Sequence, residues 1–167
     1  LLGANGAGKS TLMSMLGGMY EPDEGEIYIR GEKVKISSPN HAAKLNIGMV
    51  HQHFKLVPDY TVTENIILGV EPIKKWAGLF PYVDIRNANR KIEELSKSFG
   101  LEVDPARKVA DLTVSMQQRV EILKVLYREA EILIFDEPTA VLTPQEIEFL
   151  LQIINGLRDS GKTIILI

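Results

Sequence analysis

The sequence predicts an α/β protein built on a mostly parallel sheet, and three observations carry that prediction. Near its start runs Gly3-Ala4-Asn5-Gly6-Ala7-Gly8-Lys9-Ser10-Thr11, which fits the spacing G-x-x-x-x-G-K-[ST] of a phosphate-cradling loop. Far downstream, Ile132-Leu133-Ile134-Phe135 is apolar without alternation, as suits a parallel strand covered on both faces, and Asp136-Glu137 follows at once. Between these landmarks strand patterns alternate with helical ones, the order expected of a parallel sheet.

Glycines in the loop let backbone N–H groups turn inward around an anion without a Cβ in the way. Lys9 can reach β- and γ-phosphates as a point charge, and the Ser10 hydroxyl can ligate Mg²⁺. Leu1-Leu2 read as the end of the strand that feeds the loop. Thr11-Leu12-Met13-Ser14-Met15-Leu16 continues as a helix whose positive end faces the phosphates. Tyr20-Glu21-Pro22-Asp23-Glu24-Gly25 is dense in turn formers. Residues 26–30 and 33–36 alternate at period two and predict a small antiparallel β patch, joined tightly at Gly31-Glu32. A short helix is expected over 39–45, with Ser38 or Asn40 near its cap. Ile47-Gly48-Met49-Val50 then reads as a short apolar strand, with polar Gln52 after it.

From Phe54 the texture changes. Pro58, Pro72 and Pro81 punctuate the chain, and Thr61-Val62-Thr63-Glu64-Asn65-Ile66-Ile67-Leu68 reads as a helix start. Asp84 or Asn87 caps a helix over 88–99 that places Ile92, Leu95 and Phe99 on one face. Residues 54–112 are expected to be mostly helical, a subdomain inserted into a core formed by 1–53 and 113–167. A helix over 115–128 buries Val120, Leu123, Leu126 and Tyr127. Thr143-Pro144-Gln145-Glu146 resembles a capping box with Pro at the first helical position, and Ser160-Gly161 ends the helix that follows. Lys162-Thr163-Ile164-Ile165-Leu166-Ile167 reads as a buried strand.

The 167 residues suffice for one sizeable core. A formal charge of -3 with acids and bases interspersed leaves no footprint for nucleic acid. With Cys 0, neither a disulfide framework nor thiolate chemistry is available, which agrees with a reducing interior. No apolar run approaches the roughly 18 residues of a membrane span, and no signal-peptide pattern is visible. Because the chain opens on a phosphate loop and stops inside a strand, it is expected to be a piece of a longer one, cut at both ends.

The second half of the site is Asp136-Glu137. Ligands of open α/β sheets gather at the carboxyl ends of strands, so both carboxylates should face the loop. Asp136 is placed to hold Mg²⁺ through water, and Glu137 to polarise a water toward a γ-phosphate. A single acid after a strand would read as a helix cap. Two adjacent acids, Pro138 and a complete loop upstream favour chemistry. His51 and His53 flank Gln52 and could mimic a metal pair, but no third ligand is evident and Cys is absent.

The phosphate loop, lone Gln52, the run Leu112-Thr113-Val114-Ser115-Met116-Gln117-Gln118-Arg119-Val120 and Ile132-Leu133-Ile134-Phe135-Asp136-Glu137-Pro138 occur in the order and spacing seen in ATP-binding-cassette transporter ATPases. The resemblance covers essentially the whole chain. It implies the cassette form of the P-loop NTPase fold, truncated at both ends. The wording around Gln52, Thr61-Val62-Thr63-Glu64-Asn65 and Asp136-Glu137-Pro138-Thr139-Ala140-Val141-Leu142-Thr143-Pro144 resembles the importer ATPases for simple sugars and nucleosides, specifically the first of their two fused cassettes.

That resemblance implies ATP and Mg²⁺ as cofactors, bound by residues 3–11 with Ser10, Gln52 and Asp136 toward the metal. It makes Glu137 the catalytic base, and Gln52 the sensor of Mg²⁺ and the attacking water. Thr113 and Ser115 would touch ATP bound to a second cassette, expected in the same full-length chain. Val114 and Met116 depart from the family's Leu-Ser-Gly-Gly-Gln, and Thr143 stands where an Asp is expected. The adenine-stacking aromatic would precede Leu1, and the switch histidine would follow Ile167. Implied partners are transmembrane permease subunits and an extracytoplasmic solute-binding protein, with the cassette peripheral at the cytoplasmic face of the plasma membrane. Lys74-Lys75-Trp76-Ala77-Gly78-Leu79-Phe80 is a candidate rim for the permease notch. The alternatives are a soluble cassette ATPase of translation or DNA repair, and an exporter.

Overall fold

The chain leaves the phosphate loop directly into a helix, α1 (Lys9–Leu16), with Gly8 as its N-cap. The computed structural model describes residue 3 and residues 6–52, 54–76 and 80–167. Leu1-Leu2, Ala4, Asn5, His53 and residues 77–79 of the proposed rim lie outside the described residues, as does the side chain of Trp76. After α1 come β1 (Ile27–Ile29) and β2 (Glu32–Val34), an antiparallel pair in which Ile29 faces Glu32. The tight connection is therefore Arg30-Gly31, one residue earlier than the sequence suggests. Both residues have positive φ, 52 and 82, the backbone twist that suits a two-residue hairpin.

Helix α2 (Pro39–Lys44) resolves the open choice of cap in favour of Ser38, whose side chain accepts from the His41 N–H. It leads into β3 (Ile47–Val50). Helix α3 (Val62–Ile67) starts from a full capping box between Thr61 and Glu64. The next segment corrects the expectation that 54–112 is mostly helical. It carries a second antiparallel pair, β4 (Ile73–Trp76) and β5 (Phe80–Val83), where no strand was expected. Pro81 sits in that two-stranded sheet opposite Lys75, where edge position spares a ladder hydrogen bond.

Asp84, not Asn87, caps α4 (Ile85–Phe99), accepting the Asn87 N–H. Ile92 is fully buried, and Leu95 and Phe99 pack against the same core, as the helical spacing predicts. A short 3-10 turn at Val109–Asp111 precedes α5 (Val114–Tyr127), which begins one residue before the expected start and is capped by Thr113. β6 (Ile132–Phe135), α6 (Pro144–Asp159) with its Thr143–Glu146 capping box, and β7 (Thr163–Leu166) complete the order.

Strands β3, β6 and β7 form a parallel sheet in the order β3-β6-β7. Register pairs Ile47 with Ile132 and Val50 with Phe135, then Ile132 with Thr163 and Phe135 with Leu166. Side chains alternate across it. Val50, Leu133 and Phe135 join the larger core with α3, α4, α5 and α6, while Ile47 and Ile134 join the smaller one with Met13, Ile36 and Ala42. This is why β6 lacks polar alternation: both faces are covered.

Gly48 lies where β3 meets α5. A Cβ there would sit 2.8 Å from Val125 Cβ and 2.9 Å from Ala130 Cβ, so only glycine permits this approach. Gly48→Ala is expected to destabilise the fold by about 1–3 kcal/mol through overpacking. Gly156, in α6 with nothing within 4 Å of a built Cβ, provides the contrast. Gly156→Ala is expected to stabilise by about 0.5–1 kcal/mol. Urea unfolding of the two variants checks both signs.

Candidate functional site

The phosphate loop turns on two left-handed glycines, Gly6 at φ 79 and Gly8 at φ 83. Side chains other than glycine rarely tolerate that backbone, and the turn aims the loop toward the free N–H groups of the first turn of α1. Ala7 is exposed in the same turn. Lys9 folds back so that Nζ donates to the Gly3 carbonyl at 2.8 Å. Ser10 and Thr11 follow on α1. A cavity of about 210 Å³ opens above, lined by Gly6, Gly8, Lys9, Ser10, Thr11 and Glu137.

One hydrogen bond ties the start of α1 to the end of β6, and a second joins the ends of β3 and β6. Ser10 Oγ donates to Asp136 Oδ1 at 3.1 Å, and Gln52 Nε2 donates to Glu137 Oε2 at 2.9 Å. The first spacing suits a cation. Neighbouring oxygen ligands of Mg²⁺, bound at about 2.1 Å in an octahedron, stand about 3 Å apart. The hydroxyl and the carboxylate therefore fit one shared Mg²⁺. Gln52 carries an amide carbonyl oxygen that could serve a metal as well, while its nitrogen engages Glu137.

Glu137 has φ 45, a left-handed backbone that costs a non-glycine residue roughly 1–2 kcal/mol. The turn after it is held in compensation. The Ala140 N–H donates to the Glu137 carbonyl at 3.3 Å, and Gln118 Nε2 donates to the Pro138 carbonyl at 2.7 Å. On the facing strand, the Asp136 N–H donates to the Val50 carbonyl at 3.1 Å, extending the β3–β6 ladder to the residue that carries the first acid.

His51 is half-buried beside Gln52. Burial, reinforced by the nearby Lys55 cation and only partly opposed by Asp136, holds its imidazole below the ordinary histidine value and so neutral at neutral pH. His53 lies outside the described residues, so the histidine pair seen in the sequence is described at one member alone. Thr113 caps α5 by accepting the Met116 N–H at 3.3 Å, and Ser115 stands in that helix's first turn. Neither lines the loop cavity.

Sequence reasoning passed over two side chains of α5. Gln118 and Glu121 are 5% and 3% exposed and hydrogen-bond to segments that carry the site. Their signal was available: two polar residues at i and i+3 within a helix otherwise apolar on that side.

A phosphate loop against a parallel sheet, with a hydroxyl, two acids and a glutamine converging at the strand ends, defines a P-loop nucleotide-binding domain. The ABC transporter family profile matches residues 1–140, and the chain belongs to that family. It is 59% identical over 165 residues to a guanosine import ATP-binding protein of Bacillus subtilis, covering 99% of this chain and 31% of that protein. It is also 59% identical over 167 residues to a nucleoside import ATP-binding protein of Lactococcus lactis, covering 100% of this chain and 32% of that one. The chain thus spans about a third of the length of these relatives. In structure it matches a dimeric ATP-binding cassette in a post-hydrolysis state bound to ADP and Pi, with a TM-score of 0.74 and 28% identity over 98% of this chain and 70% of that one.

Lys9→Ala is expected to weaken Mg-ATP binding at least tenfold, because a charge-assisted hydrogen bond is worth about 1.5–3 kcal/mol. Calorimetric titration of both forms measures it, and equal affinities would exclude the loop as the nucleotide site.

Proposed function

We propose that this chain is the first cassette of an ATPase that drives import of a nucleoside or simple sugar. The observation that carries the reading is the convergence of Ser10 with Asp136 and of Gln52 with Glu137 over one loop cavity. Residues 3–11 bind the triphosphate through backbone N–H groups, with Lys9 as counter-charge. Mg²⁺, when bound by Ser10, Asp136 and Gln52, supplies charge neutralisation across the phosphates. Glu137 takes the proton of the attacking water, and Gln52 orients that water. The identity to guanosine and nucleoside import proteins favours import over export and over a soluble ATPase, and a nucleoside over a sugar.

The partner assignments follow from the same reading. Thr113 and Ser115 lie outside this chain's loop cavity, which supports their use as the wall of a second cassette's site in a head-to-tail pair. The core at 1–53 and 113–167 holds the nucleotide, and the subdomain at 54–112 meets the permease. A second cavity, about 260 Å³, runs beside β3 between α2 and α5, with Met19, Ala43, Met49 and Val125 in its lining. Its lining comes from the core except for Lys55, which opens the 54–112 subdomain. An extracytoplasmic solute-binding protein would deliver the solute, and the cassette would sit at the cytoplasmic face of the membrane. Among the described residues no helix is long and apolar enough to cross a membrane.

Glu137→Gln in the full-length protein is expected to keep ATP binding while turnover at this site falls by about a hundredfold or more, since an amide cannot accept the proton. Single-site turnover with the other cassette silenced is the measurement, and an unchanged rate removes Glu137 from the role of base. The head-to-tail pair is tested by cysteine cross-linking, clean for this segment because it has Cys 0. A cysteine beside Thr113 should cross-link, dependent on ATP, to one in the partner cassette's phosphate loop. A cross-link to this chain's own Gly6 region instead would reverse the assignment.

A further inference from the structure

Helix α5 carries two buried polar side chains, Gln118 and Glu121, at the junction between the segments that bear Gln52 and Glu137. Burying such groups is costly unless each finds a partner. Both do, and in each case the partner is backbone next to the site. Gln118 Nε2 donates to the Pro138 carbonyl at 2.7 Å, one residue past Glu137. Glu121 Oε1 accepts the Lys55 N–H at 2.8 Å. Lys124 donates from Nζ to the Lys55 carbonyl at 3.1 Å and stands 3.9 Å from Glu121 Oε1.

Lys55 is thus gripped at its N–H and its carbonyl by two side chains of one helix. For stability alone, an apolar residue of similar size would fill the place of Glu121 without desolvating a carboxylate. Here the Glu121 side chain instead holds the backbone of Lys55. Gln52 lies between two fixed points: Val50, whose carbonyl takes the Asp136 N–H, and Lys55, held by α5. Its side chain meets Glu137 between them.

We infer that Glu121, acting with Lys124, is a positioning residue for hydrolysis. It pins Lys55 to α5 and so sets Gln52 against Glu137. The inference rests on the ATPase reading of Gln52 and Glu137 given above. One rigid helix governs the contact from both sides, through Glu121 for the Gln52 segment and through Gln118 for the Glu137 segment. Glu121, Lys124 and Lys55 also line the cavity beside β3.

The test is ATP turnover by the full-length protein with the partner cassette's base removed. Glu121→Leu is expected to lower kcat by about tenfold or more, because small misplacements of positioned groups cost rates of that order. KM for ATP should stay within about twofold, since the loop around Lys9 is untouched. Glu121→Gln keeps an acceptor for the Lys55 N–H and should recover most of the loss. In a Gln52→Ala background, Glu121→Leu should cost less than about twofold more, the non-additivity of two residues acting as one unit. A folded Glu121→Leu protein with wild-type kcat overturns the inference, as does an equal loss with and without Gln52. If Glu121→Leu does not fold, Lys124→Met, which frees the Lys55 carbonyl, enters the same cycle with the same two outcomes. Gln52→Ala alone separates the levels. Unchanged turnover there removes the underlying reading together with the inference, whereas a loss there with none at Glu121 removes the inference only.

Discussion

Val50 pairs with Phe135 where β3 and β6 run parallel, and the ladder continues for one further bond, from the Asp136 N–H to the Val50 carbonyl. Beyond that bond the two chains part, one toward Gln52 and the other into the left-handed turn at Glu137. A slip of one residue in this register would exchange the faces of β6, sending Leu133 and Phe135 into the wrong core. It would also draw Asp136 away from Ser10. The apolar packing on both faces of β6 is therefore what locates the polar site at its end. Core and site are not separable here.

The second constraint is α5. It packs closely on β3 at Gly48 and supplies the polar contacts to Lys55 and Pro138. A helix with apolar contacts alone could rotate or slide by small amounts at modest cost. Directional hydrogen bonds to two separate backbone segments leave it far less freedom. The left-handed Glu137 is tolerable in this setting because the turn after it is held on two sides.

How much of this was legible in the sequence depended on the range of the interaction. Capping signals are local, so the Thr143 capping box read correctly, as did the helix start at 61 and the 39–45 helix with its cap left open between Ser38 and Asn40, and the phosphate loop declared itself by spacing. The fully apolar β6 implied two covered faces, and the sheet confirms them. The β4–β5 pair was missed inside a segment read as mostly helical, and its two edge strands accept Pro81. The turn at Arg30-Gly31 was displaced because Arg at φ 52 is not a residue that sequence rules put there. At the site, Asp136 and Glu137 were legible as a pair after a strand. Their gathering with Ser10 and Gln52 was expected from the loop and the family resemblance, whereas the particular Ser10–Asp136 and Gln52–Glu137 contacts are set by sheet register. Gln118 and Glu121 carried a readable signal, two polar residues at i and i+3 on an apolar helix side, but their backbone partners lie far away in sequence.

The start of α5 shows how a departure from the family pattern can be absorbed. Thr113 takes the cap, so its hydroxyl oxygen serves the Met116 N–H and the N–H groups of 114 and 115 have no intrahelical acceptor. Those two donors, with the positive end of the helix dipole, are what an anion approaching from a second cassette would meet. Replacing glycine by Val114 removes neither donor. It adds an apolar side chain that is 46% exposed, at a point where close approach of a partner is proposed. Helix geometry directs a side chain back toward the N-terminus, over the cap rather than across the N–H groups of the following turn. Bulk at 114 is therefore directed over the cap and leaves both donors open.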